Sequence, residues 1–184
     1  SRTILLSLAA VLFAGIAYAA TQWVMQPKQS ELTFLAIQAG AQFEGQFEHF
    51  DADIRFDPAD FSNSRFEVKV NLASVNTRDS ERDDTLKGPD LFAVKQYPTA
   101  TYVAERFQHR GGTKFTAHGK LTLRNITRDV SIEFTFDTNN TGAWLKGTAN
   151  LNRLDFGVGQ GEWKDTEGVA NEVQVRYALL LTKS

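Results

Sequence analysis

The sequence alternates apolar and polar residues with a period of two over most of its length. In Phe66-Glu67-Val68-Lys69-Val70-Asn71-Leu72, four apolar residues fall on one face and three polar residues on the other. Phe115, Ala117, Gly119, Leu121 and Leu123 interleave with Thr116, His118, Lys120 and Thr122. Val130, Ile132, Phe134 and Phe136 interleave with Ser131, Glu133 and Thr135, and Val173, Val175, Tyr177, Leu179 and Leu181 with Gln174, Arg176 and Ala178. Weaker runs cover Glu31–Gln38, Gln42–Phe47, Asp51–Phe56, Thr99–Phe107 and Ala143–Leu151. This period describes antiparallel strands with one buried face. Such strands must bury their apolar faces together, in a closed barrel or a two-sheet sandwich. Single-sided alternation in every strand favours the all-β answer of an antiparallel β-barrel of about eight strands. At that size the interior is either just filled by side chains or holds one small ligand.

Chain breakers agree with this division. Pro27, Pro58, Pro89 and Pro98 all fall between runs or at their edges, where no ladder bond needs the missing N–H. Gly111-Gly112, Arg124-Asn125-Ile126-Thr127-Arg128 and Asn139-Asn140-Thr141-Gly142 read as hairpin connections. Two segments break the alternation. Asp79 to Lys87 is charged and helix-forming, with a Gly88-Pro89 stop, and Gly157 to Gly168 is a glycine-rich loop carrying Trp163. No repeat or linker divides the rest, so one domain is expected over residues 20–184.

The first nineteen residues follow a different rule. Arg2 precedes an uncharged apolar run, Ile4 to Ile16, and Ala17-Tyr18-Ala19 follows as a small-x-small cleavage signature. That is the layout of a signal peptide, and the run is shorter than the roughly 20 residues that span a bilayer. Residues 1–19 are therefore expected to be a cleaved signal peptide and the remainder to be secreted into the periplasm. The net charge of −2 gives no basic face for a nucleic acid. The absence of cysteine removes disulfides, thiolate metal sites and a cysteine nucleophile.

Few constellations carry chemistry. His49, His109 and His118 lack metal-ligand spacing. The acidic segment from Asp79 resembles the start of a calcium loop. It has Asp84 where that loop needs glycine and Asp90 where it needs glutamate, so a charged helix surface is the better reading. Gly157-Val158-Gly159-Gln160-Gly161 lacks the Lys-Ser or Lys-Thr of a phosphate loop, and no serine sits in a nucleophile elbow. No metal and no cofactor are expected. The unusual feature is aromatic: 14 Phe, many on apolar faces, suit a filled core and a hydrophobic tunnel equally.

The order of the motifs resembles that of the YceI-like family, bacterial secreted proteins also called polyisoprenoid-binding proteins. The matching residues are Ser30-Glu31-Leu32-Thr33-Phe34, Gly45-Gln46-Phe47-Glu48-His49-Phe50, Ile54-Arg55-Phe56-Asp57 and Ser74-Val75-Asn76-Thr77. The most specific stretch is Arg82-Asp83-Asp84-Thr85-Leu86-Lys87-Gly88-Pro89-Asp90-Leu91-Phe92, followed by Tyr97-Pro98. Gly119-Lys120-Leu121-Thr122-Leu123, Thr127-Arg128, Asn152-Arg153-Leu154-Asp155-Phe156-Gly157-Val158 and Asn171-Glu172-Val173 complete the series. Leu91 stands where the family usually has Phe, and Gln29 and Gln38 where it often has His.

The resemblance implies an extended lipocalin-like barrel whose tunnel binds a long isoprenoid, such as a polyprenyl phosphate or a quinone tail, without catalytic activity. Strand parity then assigns the tunnel lining to Phe34, Phe43, Phe47, Val68, Val70, Tyr102, Phe115, Leu121, Ile132, Phe134, Val173, Val175 and Tyr177. Leu86 and Phe92 are expected to cover one end from the helical insertion, and Phe156 and Trp163 from the glycine-rich loop. Arg82, Asp83, Arg153 and Asp155 are the polar candidates, as headgroup contacts or as buried Arg–Asp pairs that pin helix and loop to the barrel. The partner is then an isoprenoid or other long-chain lipid, and a homodimer is compatible with the sequence. Two alternatives stay open at this stage: an enzyme acting on a lipid headgroup at the mouth, and a stress-related protein with a solid core.

Overall fold

The computed structural model describes residues 20–184; the expected signal peptide, residues 1–19, lies outside the described residues. The strands are β1 (Gln22–Met25), β2 (Glu31–Gln38), β3 (Ala41–Phe47), β4 (Phe50–Arg55), β5 (Arg65–Asn71) and β6 (Val75–Asn76). A short helix, α1 (Ser80–Lys87), precedes β7 (Thr99–Gly111), β8 (Lys114–Leu123), β9 (Ile126–Thr138), β10 (Gly142–Asn152) and β11 (Glu172–Lys183). Strands β1, β4, β5, β7, β8, β9, β10 and β11 pair in that order, and β11 pairs back to β1, which closes an eight-stranded antiparallel barrel. Strands β2, β3 and β6 extend the sheet from β11.

One edge of β11 pairs with β10 and the other serves two partners. Its last residues, Leu181 to Lys183, pair with β1, and Gln174 to Ala178 pair with β2. The chain changes course between them through a 3-10 turn at Pro27–Gln29. Across that break the Leu180 carbonyl accepts from the Gln26 N–H at 2.8 Å, and the Leu180 N–H donates to Ser30 Oγ at 3.0 Å. The Ser30 hydroxyl thus stands in for a missing ladder acceptor and satisfies the Leu180 N–H.

Turns follow local chemistry. β8 and β9 join through Arg124-Asn125 alone, both at positive φ (51° and 59°), the geometry whose twist matches a two-residue hairpin. The connection is therefore shorter than the five residues expected, because Ile126, Thr127 and Arg128 already pair with Leu123, Thr122 and Leu121. β7 is longer than expected and carries a register shift between Ala104 and Arg106. This bulge at Glu105 puts Ala104 and Phe107 on the same face, where simple alternation would oppose them. Asp79 caps α1, accepting from the Arg82 N–H at 3.0 Å.

The interior has two storeys. At one end Phe56, Phe66, Phe107, Phe115, Phe134 and Phe136 form an aromatic plug with Trp23, Met25, Leu145, Leu179 and Leu181. Phe56 is fully buried at its centre, with ring centroids 4.9 to 5.8 Å from Phe66, Phe107, Phe115, Phe134 and Phe136. The Trp23 indole N–H ties β1 to this plug through the Phe56 carbonyl, 3.0 Å away. At the other end Phe34, Ala36, Leu72, Val75, Leu91, Phe92, Phe156 and Val158 form a looser apolar cluster beneath α1 and the glycine-rich loop.

Candidate functional site

Between the plug and the covering segments lies a cavity of about 660 Å³. Its floor is Ile54, Phe66, Leu145 and Leu179, the upper layer of the plug. Of the lining expected from parity, Phe34, Phe43, Phe47, Val68, Val70, Tyr102, Leu121, Ile132, Val173, Val175 and Tyr177 face this space. Leu86, Phe92, Phe156 and Trp163 line it from the covering segments. Phe115 and Phe134 point inward but lie within the plug, their rings stacked 5.6 Å apart, and do not reach the cavity. Parity sets the face of the sheet; depth along the barrel follows from the register between strands. The lining also includes Leu145, Ala149 and Leu151 of β10 and Val130 of β9, whose inward parity could have been read from the same alternation.

Two tyrosines shape the middle of the wall. The Tyr102 hydroxyl donates to the Val130 carbonyl at 2.9 Å, and the Tyr177 hydroxyl to the Glu133 carbonyl at 2.5 Å. Glycines make room for both rings: a Cβ on Gly119 would lie 2.5 Å from Tyr102 Cζ, and one on Gly147 2.5 Å from Tyr177 Oη. Burial pushes both phenol pKa values above the usual tyrosine value. The anchoring matters because β9 and β10 stop pairing at Glu133 and Thr148, although both strands continue beyond. With the hydroxyls committed to those carbonyls, the tyrosines present only ring carbon to the cavity.

Three segments cover the mouth and are tied together. The Arg124 guanidinium donates to the Pro89 and Leu91 carbonyls at 2.9 and 2.5 Å, and the Gln160 N–H to the Asp90 carbonyl at 2.9 Å. Arg153 fixes the glycine-rich loop. Its five guanidinium N–H groups reach five carbonyls: Ala170 (3.1 Å), Val158 (2.9 Å), Trp163 (2.6 Å), Asp165 (3.3 Å) and Val169 (2.8 Å). Burial lowers its pKa below the usual arginine value.

Contrary to expectation, among the described residues neither Asp83 nor Asp155 pairs with Arg82 or Arg153. Asp155 offers its carbonyl, not its carboxylate, to Arg128 at 3.3 Å. Asp83 accepts from the Thr77 N–H (2.8 Å) and hydroxyl (2.7 Å), which holds α1 against β6. Asp83 and Asp155 stand outside the lining, whereas Arg82 and Arg153 are part of it.

The remaining polar lining, Gln38, Asp79, Glu81, Arg82 and Thr85, comes from the end of β2 and from α1 with its cap. Arg82 stacks its guanidinium 4.2 Å above the Phe43 ring and reaches Asp79 at 3.9 Å. None of the three histidines lines the cavity. Among the described residues no group of three or more His, Asp or Glu side chains is placed to hold a metal. The site is thus an apolar blind tunnel with a few polar groups at one end.

The family model for the YceI-like domain matches residues 23–181. The chain belongs to the YceI-like family. A UPF0312 protein of Pseudomonas savastanoi pv. phaseolicola is 31% identical over 157 residues, 81% of this chain and 82% of that one. Among solved structures, Burkholderia cenocepacia BcnA shares 33% identity and superposes with a TM-score of 0.82 over 85% of this chain and 98% of its own. A polyisoprenoid binding domain from Saccharophagus degradans, implicated in plant cell wall breakdown, is 12% identical with a TM-score of 0.69, covering 89% and 99% of the two chains. At that identity the likeness is one of fold, the lipocalin-like barrel.

In this YceI-like chain the motif residues have visible structural work. Ser30 bridges the change of partner on β11. Asp83 holds α1, and Arg153 holds the glycine-rich loop. Asn171 supports the latter, its carbonyl accepting from the Arg153 N–H at 2.9 Å and its Oδ1 from the Leu154 N–H at 3.1 Å.

Proposed function

We propose that this protein is a periplasmic binding and carrier protein for a long apolar isoprenoid lipid, with the tail in the barrel cavity and the headgroup at the mouth beside Arg82. The observation that carries the reading is the cavity itself: about 660 Å³, closed at one end by aromatic rings and free of reactive side chains along its walls. Each methylene moved from water into such a lining gains about 0.8 kcal/mol, so a polyprenyl phosphate or a prenylated quinone would be drawn in by its tail. The name of the Saccharophagus degradans barrel, which shares the fold, supports the same ligand class.

The other functions weighed from the sequence find less support. A solid core leaves no room for the cavity. Of the polar candidates for an enzyme at the mouth, Asp83 and Arg153 spend their hydrogen bonds on Thr77 and on loop carbonyls, and Asp155 stands outside the lining.

One experiment tests ligand and compartment together. Protein recovered from the periplasm of expressing cells should give, by native mass spectrometry, the mass of residues 20–184 plus a lipid that organic extraction removes and identifies as prenylated. Recovery only as uncut chain in the membrane fraction would overturn the periplasmic assignment. A ligand-free mass that stays unchanged after exposure to excess geranylgeraniol would overturn the carrier assignment.

A further inference from the structure

The cavity is blind, and the material that blinds it is the best-packed part of the molecule. Below the floor of Ile54, Phe66, Leu145 and Leu179, the rings of Phe56, Phe107, Phe115, Phe134 and Phe136 interlock, and each is at most 8% exposed. A tail cannot extend past the floor without opening a close-packed interior. We infer that the plug is the end-stop of a length gauge: the barrel encloses about four isoprene units, so a lipid of that length sets its headgroup beside Arg82 and a longer one carries its further units outside the mouth. This rests on the carrier reading and adds what that reading leaves open, namely how much of the chain the protein recognises.

Two independent measures give the figure. Taking about 30 Å³ for each small group in a condensed phase, 660 Å³ holds roughly twenty carbons, or about four five-carbon units. Depth gives a similar answer. On β11 the lining runs from Val173 to Leu179, six residues apart, which is about 20 Å along a strand and about 15 Å along the axis at the usual tilt. An extended four-unit chain has about sixteen backbone carbons and advances roughly 1.3 Å per bond, so three to four units span that depth before the mouth is reached. The side walls hold the bore fixed, because the hydroxyls of Tyr102 and Tyr177 are tied to β9.

The test is a series of linear prenols of 10, 15, 20, 30 and 40 carbons, delivered from cyclodextrin, displacing the fluorescent probe N-phenyl-1-naphthylamine from delipidated protein. Affinity should rise about tenfold or more with each added unit up to 20 carbons and then change less than about threefold up to 40. Removing the floor with Leu145→Ala and Leu179→Ala together should move this break to a longer chain. Ala149→Leu, on the wall, should move it to a shorter one and keeps the test open if the double variant does not fold. An affinity that climbs steadily to 40 carbons, or a break that Ala149→Leu leaves in place, overturns the gauge while the carrier reading stands. Failure of every prenol to displace the probe overturns both.

Discussion

Replacing Phe56 with alanine is expected to destabilise the barrel by about 4 kcal/mol, the range for deleting a fully buried ring that leaves a cavity. The neighbourhood explains why the full cost of a cavity is expected. Phe56 sits past the end of β4 with its side chain at the centre of five other Phe rings, contributed by β5, β7, β8 and β9. These rings belong to paired strands and cannot collapse into the void without moving the sheet. For a domain of this size the thermal midpoint should fall by roughly 8–16 °C. Scanning calorimetry on the two proteins checks this. A fall of less than about 3 °C would show that the plug repacks freely, and would remove the rigid floor on which the closed end of the tunnel depends.

The second large effect is expected at Arg153. Substituting methionine keeps the apolar stem and removes five donors at once. The carbonyls of Val158, Trp163, Val169 and Ala170, each within 3.1 Å, lose their partner, and Asp165 loses a longer one. A buried acceptor left unsatisfied costs about 1–3 kcal/mol, and water can replace some of the five, so a total of about 3 kcal/mol is expected. The loss should be local. Amide exchange should accelerate over residues 157–170 and stay unchanged in β7, β8 and β9. Arg153→Lys should recover only part of the protection, since an ammonium offers three donors and no planar fork. Uniform acceleration over the whole barrel would show that Arg153 supports the closed sheet and not the loop alone.

The faces of the strands were legible from the residues; the floor of the tunnel was not. β2, read from Glu31 to Gln38, is observed with those bounds, and the inward faces of β5, β8 and β11 follow directly from alternation. Phe115 and Leu121 share one face of β8, yet one belongs to the plug and the other to the cavity. What separates them is position along the barrel axis, fixed by registers such as Phe115 opposite Phe134 and by the bulge at Glu105, and neither has a local signature. Arg153 illustrates a different limit. A buried arginine suggests a carboxylate partner, and Asp155 stands two residues away, but the observed partners are backbone carbonyls, which every residue type carries. Positive φ at Arg124 and Asn125 likewise comes from the demands of a tight hairpin and not from glycine.

The central claim, that a lipid tail occupies the inside of this barrel, is tested most directly at two neighbouring positions of β5. Val70 lines the cavity, whereas the Lys69 side chain is 60% exposed on the outer face and lies 3.7 Å from Glu67. Val70→Trp adds bulk inside the bore at a packing cost of about 1–3 kcal/mol, small enough for a folded barrel to survive. Lys69→Trp adds the same ring to the outer surface. Titrating geranylgeraniol against the N-phenyl-1-naphthylamine complex of each folded variant should show affinity reduced at least tenfold in Val70→Trp and unchanged within about twofold in Lys69→Trp. Parental affinity in folded Val70→Trp, or loss of binding confined to Lys69→Trp, would place the lipid outside the cavity and contradict this account.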